Sequence, residues 1–302
     1  MALPVYASPL ERLWYYSYRV LCGLIFLFLI APILIVIPLS FNVEPYFTFT
    51  EKMLSLDPDG YSLRWYDTLL TFGMATPEAP RDSSWWLDVW NNAAWVRAAK
   101  NSVIIGVSST VVATVLGTVA ALGLSRPEMP YRRAIMAILI SPMIVPIIIT
   151  ATGLFFFYSA TGLAGSYVGV VLAHATLGIP FVIITVTATL VGFDRSLPRA
   201  AASLGASPTT TFFKVTMPLI LPGVISGALF AFVTSFDEVV VVLFVAAHDQ
   251  QTIPRQMWNG IREQISPAIL SVATILVIVS VLLLATVELL RRRSERLRGI
   301  SG

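Results

Sequence analysis

Three ionisable side chains stand where the chain is otherwise apolar. Asp237 and Glu238 are adjacent in the run Ser235-Phe-Asp-Glu-Val-Val-Val-Val242, and His174 sits in the apolar run 167–191. A charge inside a membrane-crossing run costs about 2.5–3.5 kcal/mol on insertion scales, so such groups face a cavity, a cargo or one another. A carboxylate there suits a cationic amine by charge pairing. The same groups could relay protons, or join helices through an ion pair or hydrogen bond. Asp237 lies about nine residues from the end of its run, roughly 13 Å at 1.5 Å per residue, and His174 about seven, roughly 10 Å. Asp237, Glu238 and His174 are therefore the candidate translocation path.

Bond-making chemistry finds no comparable set of residues. The two histidines, His174 and His248, and the one cysteine, Cys22, lack metal-ligand spacing. No G-x-x-x-x-G-K-[ST] phosphate loop occurs, and no Ser/His/Asp arrangement is localised. No catalytic residue, metal ligand or cofactor is assigned to this chain, which is not expected to be an enzyme. Cys22 lies in the first apolar run and reads as a packing residue.

The elements that position these groups follow from composition. Of 302 residues, 56% are hydrophobic and 12% charged, against roughly 25% charged in soluble domains. The chain reads as an all-α polytopic membrane protein. Six runs can cross about 30 Å of hydrocarbon. They lie near 19–41, 102–124, 134–158, 167–191, 219–246 and 268–290. In hydrocarbon each backbone group is bonded within its own segment, so these runs should be helices, kinked at Pro142, Pro146 and Pro180. The first run is longer than a signal h-region of roughly 7–15 residues and reads as a retained helix.

Arginine placement orients the spans. Arg12 and Arg19 precede the first, Arg126, Arg132 and Arg133 join the second to the third, and Arg195, Arg199 and Lys214 lie between the fourth and fifth. Arg291, Arg292, Arg293, Arg296 and Arg298 follow the sixth. With six spans all four segments share one side, the cytoplasm, and both termini lie there. The layout is a cytoplasmic segment 1–18, a transmembrane domain 19–290, and a basic tail 291–302 that anchors topology rather than binding nucleic acid. The outer segment 42–101 holds eight acids and five of seven tryptophans, including Trp65, Trp85, Trp86, Trp90 and Trp95. Tryptophan favours the headgroup layer, so one or two interfacial amphipathic helices are expected there.

Segment 192–218 lies between the fourth and fifth runs. Ala200, Ala201, Ala202, Leu204 and Ala206 are mostly strong helix formers, and Gly205 permits a positive-φ turn. A short helix, a turn and a second short helix should lead to Pro218 and Pro222. Phe212 and Phe213 could anchor a partner. From the residues alone, two readings stand: a docking surface for a cytoplasmic partner, or an interfacial helix without one.

The segment Arg199-Ala-Ala-Ala-Ser-Leu-Gly205, with nine residues before Val215-Thr-Met-Pro218, resembles the EAA loop of bacterial ABC importer permeases. In that pattern Glu-Ala-Ala is followed by three residues and Gly, then nine residues, then Ile-x-Leu-Pro. Arg199 stands where the family has Glu. Asn101-Ser102, Gly117 with Ala120-Ala121, Ser141–Pro146 and Ser235–Val242 are similar too. Thr252–Trp258, followed by Ile265-Ser-Pro267, resembles permeases of the spermidine/putrescine type. The similarity covers about residues 60–290.

This resemblance implies the MetI-like permease fold of type I importers. It implies a second homologous permease subunit, two cytoplasmic ATPase subunits that carry ATP and Mg, and a periplasmic solute-binding protein. It makes Arg199, Ala200, Ala201, Leu204, Gly205, Ala206 and Pro218 the ATPase-coupling loop. Reversal of sign at Arg199 removes any ion pair that the family Glu makes. The implied function is the permease half of an inner-membrane importer for a polyamine or related cationic amine. Rival readings are a permease for another small solute, such as an amino acid or opine-like compound, and an ion-coupled secondary transporter.

Overall fold

The computed structural model describes residues 8–126, 128–194, 196–263 and 266–297. Arg195, Ile265 and Arg298 lie outside these. The helices are α1 Pro9–Leu39, α2 Glu51–Leu54, α3 Arg64–Thr71, α4 Ser83–Asn92 and α5 Ala94–Leu124. They continue with α6 Arg132–Ile144, α7 Ile147–Thr161, α8 Tyr167–Val191, α9 Ser196–Ser203 and α10 Pro208–Thr211. The last four are α11 Met217–Phe236, α12 Val240–Val245, α13 Ile253–Glu263 and α14 Ala268–Leu297. Among the described residues there is no strand, only a bridge between Asn42 and Tyr61.

The chain divides into two compact units, residues 73–259 and residues 1–72 with 260–302. The first is built on α5, α8 and α11. Gly178 of α8 packs against both neighbours: a Cβ there would fall 3.2 Å from Ala113 Cβ of α5 and 2.9 Å from Ala231 Cβ of α11. Hydrocarbon gives no hydrophobic drive for helix pairing, so small residues that allow close backbone packing hold such a bundle. One buried cluster joins Ala113, Ala121, Val182, Val186, Ile220 and Ala231. A second joins Ile105, Ala151, Tyr158, Val170, Val241 and Val245, bringing in α7 and α12.

Two of the expected single spans are broken. The run 134–158 becomes α6 and α7, bent by 102°. The break falls at Val145-Pro146. Proline pushes its predecessor into extended backbone, here φ −69° and ψ 134°, and supplies no N–H to continue the helix. Pro180, by contrast, lies inside an unbroken α8. The run 219–246 becomes α11 and α12, interrupted at 237–239. Four described helical stretches are long and apolar enough to cross a membrane, and the α6–α7 pair would make a fifth. The apolar part described in α14 is Ala268–Leu282.

Boundaries shift as well. α1 starts ten residues before the expected 19, because Ser8 and Glu11 form a capping box: the Glu11 amide donates to Ser8 Oγ at 3.3 Å, and the Ser8 amide to Glu11 Oε2 at 2.7 Å. α5 opens at Ala94 rather than 102, so the outer segment ends at Ala93.

In the unit containing α1, Asn42 is fully buried and staples the chain that follows that helix. Its Nδ2 donates to the carbonyls of Tyr46 and Thr48 at 3.0 and 2.8 Å. Trp65 Nε1 donates to the Asn42 carbonyl at 2.7 Å. Trp65, Trp85 and Trp95 are buried packing residues, not the headgroup anchors expected of them; Trp85 is 2% exposed. Trp86 and Trp90 are exposed.

Candidate functional site

The loop between α8 and α11 is built from its own turns. α9 ends in a Schellman arrangement, with the Ala206 amide donating to the Ala201 carbonyl at 3.0 Å and the Gly205 amide to that of Ala202 at 2.9 Å. Gly205 takes φ +82°, with open space where a Cβ would lie. The requirement for glycine is thus conformational rather than steric. Ser207 caps α10 through the Thr210 amide at 3.2 Å, and Pro208 occupies its first position. A wide turn over 212–216 then feeds α11, with Pro218 in its first turn.

At the loop's start, Asp194 Oδ1 accepts the Ser196 amide at 2.8 Å, and that bond holds the Asp194 carboxyl below its usual range. Arg199, Ala200, Leu204, Gly205 and Pro218 are exposed, and Ala201 and Ala206 half-buried. Leu204 is 88% exposed and Phe213 61%. Both are apolar side chains that stand out from the loop, largely clear of the rest of the chain.

The structure separates the three intramembrane candidates. His174 is 1% exposed, and its Nδ1 lies 2.8 Å from Ser235 Oγ. Ser109 Oγ donates to Ser235 Oγ at 2.9 Å. This buried chain ties α5, α8 and α11 together. Ser109 carries no signal in the sequence, since one serine in an apolar run is unremarkable until its neighbours are known. Glu238 is buried at the helix break, where its Oε1 accepts the Val241 amide at 2.9 Å. Its charge faces the start of α12, and negative charge is favoured at a helix N-terminus. Asp237 caps α11 by backbone alone, its amide donating to the Val233 carbonyl at 3.1 Å, and the residue is exposed. His174 Nδ1 and Glu238 therefore have partners within the chain, His174 Nε2 is buried without one, and Asp237 is exposed.

A further polar cluster holds the other end of α12. Asn101 Nδ2 donates to the carbonyls of Asp249 and Gln251 at 2.7 and 2.9 Å, and Tyr167 OH donates to Asn101 Oδ1 at 2.9 Å. The Ile253 amide donates to Ser102 Oγ at 2.8 Å. Arg255 Nη1 donates to the Val242 and Ala246 carbonyls at 2.9 and 3.0 Å, capping α12. The short helix is thus held at both ends by side chains of matching charge.

Residues 113–297 match the family described as the binding-protein-dependent transport system inner membrane component. The chain belongs to that family. It is a permease component of such a system, placed in the inner membrane. It is 29% identical over 271 residues to the spermidine/putrescine transport system permease protein PotC of Haemophilus influenzae, covering 90% of this chain and 95% of that one. It is 30% identical over 282 residues to the putrescine transport system permease protein PotI of Escherichia coli K12, covering 91% and 88%.

Family membership agrees with the fold of a solved structure, that of a bacterial ABC transporter involved in the import of the acidic polysaccharide alginate. The TM-score is 0.69 at 16% identity, covering 95% of this chain and 99% of that one. That likeness establishes the MetI-like permease fold and leaves the cargo to the site, since function lives in sites grafted on folds.

Proposed function

We propose that this permease moves a polyamine or related cationic amine into the cytoplasm, driven by ATPase subunits that dock on the loop Ser196–Pro218. The observation that carries the cargo is Asp237, an exposed carboxylate at the break of α11, in a chain whose relatives are named for spermidine and putrescine. The exposed Leu204 and Phe213 on a loop shaped by Gly205 support the docking.

In this reading ATP and Mg bind the two ATPase subunits. Closure of that pair moves the loop, and the loop tilts α11 and α8. A second homologous permease subunit completes the pathway, and a periplasmic solute-binding protein delivers the amine. Both termini face the cytoplasm, with the arginines at 126–133 and 291–298. Asp237 offers a charge partner to the passing ammonium groups, while Glu238 and the His174–Ser235–Ser109 chain keep the helix break in place. Arg199 supplies a positive charge where the family Glu would sit, so docking here rests on shape and apolar contact.

Asp237→Asn tests the cargo assignment, because it keeps shape and hydrogen bonding but removes charge. In reconstituted complexes uptake of putrescine or spermidine should fall while assembly persists. Uptake at the wild-type rate would remove Asp237 from the path. A preference for an anionic solute would end the polyamine reading.

A further inference from the structure

We propose that a cavity between the C-terminal ends of α5 and α8 and the start of α6 is a binding site for the phosphodiester headgroup of an anionic phospholipid. The cavity measures about 500 Å³ and is lined by Arg132, Arg133, Met136, Thr187, Leu190 and Val191, among others. Both arginines are exposed, and among the described residues no ion pair engages either. The acids nearest in sequence, Glu128 and Asp194, do not line it. Asp194 is already bonded to the amide of Ser196.

The charge balance suits a monoanion. The ends of α5 and α8 each bring roughly half a negative elementary charge, and two guanidiniums outweigh them by about one positive charge. The start of α6 adds to this. Tyr131, before it, takes φ +51° and gives no side-chain bond to the first amides of the helix. Guanidinium forks match phosphate oxygens in geometry. The Thr187 hydroxyl lies in the wall without a hydrogen-bond partner.

The walls point to a lipid rather than a free anion. Met136, Leu190 and Val191 continue the apolar surfaces of α6 and α8, and Val191 is 84% exposed. Acyl chains leaving a headgroup held by Arg132 and Arg133 would run along that surface. Basic pockets between helices at a membrane face bind anionic headgroups in this way.

The assembled importer is purified with wild-type chain, R132Q/R133Q or M136W. Each is exchanged into detergent containing phosphatidylglycerol or phosphatidylcholine at equal mole fraction, and bound lipid is counted by native mass spectrometry. Wild type should retain phosphatidylglycerol over phosphatidylcholine by about tenfold or more, as two cationic side chains near an anionic surface imply. R132Q/R133Q should lose the preference. M136W fills the cavity while keeping both arginines, and should lose bound phosphatidylglycerol too, even if the charge variant fails to assemble. Excess inorganic phosphate should leave the retained lipid in place. Equal retention of the two lipids by wild type, unchanged retention in M136W, or complete displacement by inorganic phosphate would each overturn the proposal.

Discussion

Gly205→Val is the sharpest perturbation of the proposed coupling loop. The native φ is +82°, and nothing lies within 4 Å of the place a Cβ would take, so the chain itself would not clash with a side chain. The cost is in the backbone. An L-residue in the left-handed region costs about 1–2 kcal/mol, and a β-branched one more. That strain opposes the two bonds that close α9, from Gly205 to Ala202 and from Ala206 to Ala201. A penalty of this size lowers the population of the native turn about 5- to 30-fold. Leu204 would leave its place more often by the same factor, and uptake per ATP hydrolysed should fall. The assay is ATPase rate and uptake measured together in proteoliposomes holding the assembled complex. Gly205→Asn is the control, because asparagine tolerates the left-handed region; it should restore most of the coupling. Full coupling with valine in a correctly assembled complex would refute the reasoning. Equal failure of valine and asparagine would show that bulk, not φ, decides the position.

Further outcomes follow from the same geometry. Ser235→Ala removes the shared partner of His174 and Ser109 in the buried core, at a cost of about 1–3 kcal/mol, so the purified complex should unfold at a lower temperature; an unchanged midpoint would show the chain of bonds to be idle. With Cys22 replaced by Ser, a cysteine at Glu78 should label with an impermeant reagent in cells with a permeabilised outer membrane, while one at Glu128 should not, and the reverse pattern would invert the orientation. Asp82 caps α4 through the Ser84 and Trp85 amides, at 2.9 Å each, and its bonds, led by the Ser84 side chain, hold its carboxyl below the ordinary aspartate value of 3.8. A depressed folded value means the cap is fully present above 3.8 and is lost as pH falls through the lower folded value. Amide exchange over 83–92 should accelerate there, and Asp82→Asn should not show that acid step.

The helical, membrane-crossing character is legible in the sequence because it rests on composition and run length. The form of the loop Ser196–Pro218 is legible too, since Gly205 between helix formers and Pro218 at the entry to α11 are local signals. The breaks at Val145–Pro146 and at 237–239 do not emerge from the sequence as separate helices. Proline bends a span by an amount that neighbouring helices decide, as unbroken α8 around Pro180 shows. Hydropathy alone also hides the early start of α1, although Ser8 and Glu11 form a recognisable capping box. Tryptophans 65, 85 and 95 mislead because burial depends on tertiary partners, such as the Asn42 carbonyl that takes the Trp65 N–H. The candidate path stands out by polarity in apolar runs. Only the structure shows that Ser235 satisfies His174 Nδ1 and links it to Ser109, and that the Glu238 side chain caps a helix while Asp237 caps one only through its backbone amide.

The most direct test is cargo uptake by the complete system. Proteoliposomes carrying this chain with its permease, ATPase and solute-binding partners are loaded with ATP or a non-hydrolysable analogue and offered radiolabelled putrescine, spermidine, a neutral amino acid and an acidic sugar. The account predicts ATP-dependent accumulation of the polyamines alone, with loss in Asp237→Asn. Accumulation without hydrolysable ATP, or a preference for the neutral or acidic solute, would contradict it.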